Sequence, residues 1–208
     1  MAVQSRDRVR TPLFPRARAR SAGPILAALV GLAAVPAQAG APLPPGLEAG
    51  DTAEVKAVID GDTLTLADGR VVRLVGIAAP KPPLGATAGS APLAERAAAA
   101  LAELVLAREV TLAYGGRRSD RYGRLLAQLY RDDGLWLQGE MLAHGLARVV
   151  THPDNRALAH QMLERERAAR AARLGIWAAP SFAVLRPEEA SRHLDGFELI
   201  EGLSLIHI

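Results

Sequence analysis

Three segments of the chain concentrate side chains that can do chemistry. The first, VIDGDT (58–63), sets Asp60 and Asp62 on either side of a glycine. At a strand bend such a pair can aim a carboxylate into a pocket and hold a hard cation such as calcium. Taken alone, the same six residues are better read as an ordinary polar turn between strands. The second, VVRLVGIAAPK (71–81), places Arg73 among apolar neighbours. Its planar fork of donors suits a phosphate, although a surface arginine on a half-exposed strand has the same appearance. The third, RRSDRYGRLLAQLY (117–130), gathers four arginines around Asp120 and Tyr122. A charge run of this kind is ordinarily a solvated loop. It becomes a nucleic-acid contact only if the charges converge on a groove.

The elements that must position these residues follow from periodicity and turn chemistry. Strand-like runs start at Ala53, where Val55, Ala57 and Ile59 alternate with other residues, and recur at Thr63–Leu66 and Val71–Ile77. Asp68-Gly69 between the last two is a hairpin signal, with both central residues expected at positive φ. Residues 80–92 are rich in proline and glycine and read as a loop. A helix is expected over Leu93–Ala107, with Leu93, Ala97, Leu101, Leu104 and Val105 on its core face. Strands follow at Val110–Tyr114 and Leu125–Tyr130. A short helix over Leu137–His144 is ended by Gly145, and a brief extended piece covers Ala147–Val150. A longer helix over Arg156–Leu174 is ended by Gly175. Three strands, a helix, two strands and two helices are compatible with a small closed barrel.

Taken together, in this order and spacing, the three segments resemble the staphylococcal-type thermonuclease family. The resemblance covers residues 51–178 and includes GLAR (145–148), PDN (153–155) and LGIW (174–177). It implies an α+β chain, a five-stranded OB-fold β-barrel with three helices. It also implies calcium-dependent phosphodiester hydrolysis of DNA or RNA. In that scheme Asp62 is the first metal ligand, and Arg73 and Arg124 clamp the phosphate and stabilise charge building on phosphorus. Asp120 and Tyr122 belong to the loop around the second arginine, and His152 lies where an aromatic base platform would be.

The chain departs from the family pattern at two acids. Where the family reads G-I-D-x-P-E, this chain reads Gly76-Ile77-Ala78-Ala79-Pro80-Lys81. Ala78 stands at the second metal-ligand position and has no side-chain oxygen to offer. Lys81 stands where an acidic residue acts on the attacking water, and its ammonium is a donor rather than an acceptor. Asp60 is the nearest carboxylate that could compensate. Hydrolysis is therefore expected to be weakened or lost, with Ca²⁺ as cofactor only if the chain is active. The other reading is a non-catalytic OB domain. Its cationic pocket of Arg73, Lys81 and Arg124 would bind a nucleic acid, another phosphate-bearing polyanion, or a protein partner. A structural envelope module follows if that pocket is blocked.

Composition narrows these options. The 208 residues carry 25 Lys and Arg against 22 Asp and Glu, but six of the basic residues and one acidic residue lie in 1–39. The remainder holds 19 against 21, a net charge of −2, so overall charge is no nucleic-acid footprint. Residues 1–39 have an arginine-rich start, an apolar run over 24–35 and Ala37-Gln38-Ala39. That is the build of a signal peptide cleaved after Ala39, which predicts a secreted or periplasmic protein with no membrane span once cleaved. Residues 40–50 read as a linker, and 179–202 as a C-terminal extension or the start of a second domain. Residues 203–208 (LSLIHI) match what a sequencing adapter encodes and are read as an artefact. Cysteine is absent, and no two of the five histidines pair on one element, which argues against zinc.

Overall fold

The computed structural model describes residues 42–192 and 199–200, apart from 84, 86 and 88. The signal peptide expected over 1–39 and the segment 203–208 lie outside these residues. The barrel strands are β1 (Glu48–Asp60), β2 (Thr63–Leu66), β3 (Val71–Leu74), β5 (Glu109–Tyr114) and β6 (Leu125–Arg131). They close in the order β1-β2-β3-β6-β5. Every pairing within the barrel is antiparallel except β3 with β6, whose connection runs through helix α1 (Pro92–Val105) and β5. β4 (Ile77–Ala78) and β7 (Arg148–Val149) form a separate two-stranded antiparallel ribbon. Helices α2 (Leu137–Ala143) and α3 (Ala159–Ala171) complete the fold. After 3-10 turns, β8 (Val184–Leu185) pairs in parallel with β9 (Leu199–Ile200). Among the described residues no helix is long and apolar enough to cross a membrane.

β1 closes the barrel because it is long enough to serve two neighbours. Its first half pairs with β5 and its second half with β2. Register shifts between Ala49 and Thr52, Val55 and Ala57, and Val58 and Asp60 bend it from one sheet edge to the other. These bulges correct two expectations. The strand starts at Glu48, inside the segment read as linker. The alternation of Val55, Ala57 and Ile59 fails as well: Val55 is buried, whereas Ala57 is exposed and Ile59 is 57% exposed. The hairpin after β2 also differs from the tight turn expected. The loop spans residues 67–70, and Gly69 (φ 88°) is at positive φ while Asp68 is not.

The core lies inside the barrel and under α1. Leu64, Leu66, Val72, Leu74, Leu112 and Leu129 fill it from the strands, and Ala97, Leu101 and Val105 from α1. Leu93 is only half-buried, and Ala94 takes the place expected for it. The alanine-rich face of α1 lets the helix approach closely. A Cβ on Gly61 would come within 2.6 Å of the Cβ atoms of both Ala79 and Ala97. The Asp60-Gly61-Asp62 bend is thus wedged between α1 and the chain leaving β4. Buried Gln138 of α2 docks on β6 as a strand would. It accepts from the Leu129 N–H at 3.1 Å and donates to the Ala127 carbonyl at 2.8 Å.

The ends of α2 and α3 meet backbone to backbone. Gly145 (φ 64°) would place a Cβ 2.2 Å from the Leu174 carbonyl oxygen. Gly69 has nothing within 4 Å of that position. Gly69→Ala should therefore cost only the left-handed backbone penalty, about 1 kcal/mol. Gly145→Ala should cost about 3 kcal/mol, because overpacking against a rigid carbonyl is added. Urea unfolding of the two variants checks this, and equal losses would contradict it.

Candidate functional site

The bend between β1 and β2 delivers Asp62 to a fully buried position, at 0% exposure. A carboxylate so placed must be surrounded by donors. Its Oδ1 accepts from the Thr63 hydroxyl at 3.0 Å, from the Arg73 guanidinium, and from the Lys81 ammonium at 2.6 Å. Its Oδ2 accepts from the Ala79 backbone N–H at 2.8 Å. The same Lys81 Nζ lies 2.6 Å from Asp60 Oδ1, which also accepts from the Asp62 N–H at 3.0 Å. Burial pushes the Asp60 carboxyl up, but hydrogen bonds from the Lys81 ammonium and the Asp62 N–H outweigh it. Its pKa is held below the ordinary aspartate value.

Arg73 lies on β3 between the buried Val72 and Leu74, with its own side chain on the outer face. Besides Asp62 it reaches the Ile77 carbonyl at 3.4 Å. From there it lines a cleft of about 670 Å³ together with Arg117, Asp120, Arg121, Tyr122, Arg124 and His152. Asp120 builds the loop before β6. Its Oδ1 accepts from the N–H groups of Tyr122 at 2.8 Å and Arg124 at 3.0 Å, and its Oδ2 accepts from Arg124 Nε at 2.7 Å. Partial burial raises the Asp120 carboxyl. The Arg124 side chain and the two backbone N–H groups overcome this and leave its pKa lowered. Arg124 commits its Nε here, which leaves its terminal nitrogens without hydrogen-bond partners among the described residues. Tyr122 is 68% exposed, with the guanidinium carbons of Arg121 and Arg124 at 4.8 and 5.6 Å from its ring centre.

Of the residues singled out in the sequence, the cleft brings together Arg73, Asp120, Tyr122, Arg124 and His152. Asp60, Asp62 and Lys81 form a separate cluster behind it, joined to it by Arg73. Lys81 is therefore turned away from the cationic pocket in which it was expected and toward the acids. The four arginines of 117–124 also divide. Arg118 pairs with Glu48 at 2.7 Å and stacks on Tyr114, outside the cleft. Asn155 carries a role that the PDN segment did not reveal. It is buried, donates to the Arg117 carbonyl at 3.1 Å, and with the Arg117 N–H to Asp154 carbonyl bond (3.0 Å) fastens the two loops that wall the cleft. A polar side chain two residues after a loop proline was the one local signal for it.

A profile of the family described as staphylococcal nuclease homologue matches residues 71–179, just over half of the chain. The chain belongs to the staphylococcal nuclease homologue family. No curated protein matches it. Strands β1 and β2, with Asp60 and Asp62, precede the matched segment but complete the same OB barrel.

Family members depend on calcium, and the residues present here do not fit that ion. Calcium takes six to eight oxygen ligands, drawn largely from carboxylates and carbonyls. Ala78 brings no side-chain oxygen and pairs through its backbone with Arg148. The Asp62 oxygens are each spent on protein donors, and an ammonium bridges Asp60 and Asp62. Among the described residues no group of three or more His, Asp or Glu side chains is placed to hold a metal.

Because the Asp60 and Asp120 carboxyls are held below their ordinary value, each favours the fold when ionised. That contribution is complete above the unfolded pKa of about 3.9 and is lost as pH falls through the depressed folded values. Thermal unfolding should show a loss of stability below about pH 4. Asp120→Asn should flatten that acid limb and lower stability at neutral pH. An unchanged acid limb in the variant would contradict the assignment.

Proposed function

We propose that this family member binds phosphate esters of single-stranded nucleic acid in the Arg73–Arg124 cleft, with phosphodiester hydrolysis weakened or lost. The observation that carries the reading is the convergence of Arg73 and Arg124 on one cleft while the nearby Asp60–Asp62 pair is closed by Lys81. Arg117 and Arg121 add positive charge along the rim, and the exposed faces of Tyr122 and His152 suit stacking by unpaired bases. Hydrolysis needs an activated water and a cation to polarise the phosphate. Neither role has a matching residue: position 81 donates instead of accepting, and position 78 offers no ligand. The two arginines can still bind the negatively charged phosphate in its ground state. The arginine-rich leader supports a secreted or periplasmic setting, where released nucleic acid would be the polyanion encountered.

Fluorescence anisotropy with a labelled single-stranded oligonucleotide tests the binding. The protein without residues 1–39 should bind with an affinity that falls steeply with salt. Arg73→Ala and Arg124→Ala should each weaken binding by roughly tenfold or more, the worth of one charge-assisted contact of about 1.5 kcal/mol. Binding that is absent, or indifferent to both substitutions, would refute the cleft. Release of acid-soluble nucleotides on adding calcium would refute the loss of hydrolysis while leaving the binding claim intact.

A further inference from the structure

We infer that the Lys81 ammonium is the resident cation of the acidic cluster, tethered where an exchangeable metal ion would otherwise neutralise Asp60 and Asp62. Three observations carry this. The first is geometric. One nitrogen sits 2.6 Å from Asp60 Oδ1 and 2.6 Å from Asp62 Oδ1, bridging the two carboxylates as a bound cation does. The second is charge. Asp60 and Asp62 face Arg73 and Lys81, so the cluster is neutral without any ion. Adding a divalent cation would leave an excess of two positive charges at a carboxylate with no access to water. The third is the segment that presents the lysine. Lys81 lies in Pro80-Lys81-Pro82-Pro83, where three prolines fix φ and also restrict the residue that precedes each of them. A stiff backbone lowers the entropy lost in holding a long side chain in one place. The 42% exposure of that side chain is consistent with a stem lying over the surface while its head group is captured.

The tethered cation also acts on Arg73. Both cations share Asp62 Oδ1, so Lys81 takes part of the negative charge that would otherwise draw the guanidinium inward. Lys81 is thus a positioning residue: it lets Arg73 lie at the cleft wall with no metal bound. This inference stands whether or not the cleft takes a phosphate ester, because it concerns the cluster behind it.

The test uses the full-length protein and two readouts. Calorimetric titration of the wild type with calcium should give no binding heat beyond dilution, and its melting temperature should not respond to millimolar calcium beyond a sodium chloride control. Binding in the submillimolar range, or a calcium-induced rise in melting temperature, overturns the inference. Lys81→Ala should melt lower by on the order of 5 °C. Methylammonium or calcium should restore part of the loss, while tetramethylammonium at equal ionic strength should not, since it has no N–H and cannot approach the carboxylates. A variant as stable as the wild type overturns the inference. So does a loss that no cation repairs, because Lys81 would then act through packing alone. If Lys81→Ala does not fold, the wild-type titration decides by itself. Oligonucleotide affinity of the wild type, measured in parallel, reports separately on the cleft.

Discussion

The burial of the Asp62 carboxylate constrains everything around it. A carboxylate removed from water is tolerated only when donors approach its oxygens from the protein. Here they come from four places in the chain: the adjacent Thr63, Arg73 of β3, the Ala79 backbone after β4, and Lys81 of the loop beyond. Gly61 lets the bend carrying Asp62 press against Ala79 and Ala97, so α1 is held to the same point. The start of β2, the outer face of β3, the exit from β4 and the middle of α1 are thereby registered against one another. The site is a consequence of closing the barrel there.

The same device appears twice. Arg73 is steadied by Asp62, and Arg124 by Asp120 through both its side chain and its backbone. The Arg73 and Arg124 guanidinium groups are thus each backed by an aspartate that fixes their direction and removes part of their charge. The cleft therefore presents organised donors more than excess charge, in keeping with the net −2 outside residues 1–39. Under the proposed function, such pre-organised donors would lose little side-chain entropy on binding a phosphate, which is where rigid sites gain their affinity. At the rim, Arg117 lies 3.7 Å from Asp154 in an exposed ion pair, and the charges there would add mainly long-range attraction, which salt screens.

Much of this was legible in the chain. Helical spacing of Ala97, Leu101 and Val105, the strand runs around Arg73 and after Arg124, and glycines at helix ends all point to elements that the structure contains. The order of the motifs also places Arg73, Asp120, Tyr122, Arg124 and His152 at one cleft. What escaped was set by tertiary geometry. The bulges of β1 reverse the faces of Ala57 and Ile59, and no local residue pattern announces them. The beginning of β1 is held by the pairing of Glu48 with Tyr114 and Ala49 with Ala113 of β5, although it lies in the proline- and glycine-rich segment read as a linker. Lys81 reads as a positive charge added to a binding pocket, because spacing alone does not reveal that Asp60 and Asp62 lie within reach on its other side.

That placement changes the meaning of the two replaced acids. The family pattern puts acids at positions 78 and 81, and with Asp60 and Asp62 this makes four carboxylates facing Arg73. Three negative charges would then be in excess, and a divalent ion would be needed to hold them together. Replacing position 81 alone by a neutral residue would leave the Asp60–Asp62 pair short of a cation. Replacing it by lysine while keeping an acid at 78 would leave the cluster short by one positive charge. Ala78 and Lys81 together bring it to balance with no ion. The two departures are best understood as one electrostatic solution. They leave the buried Asp62 and the arginine it steadies in place with no metal ion required to balance the charge.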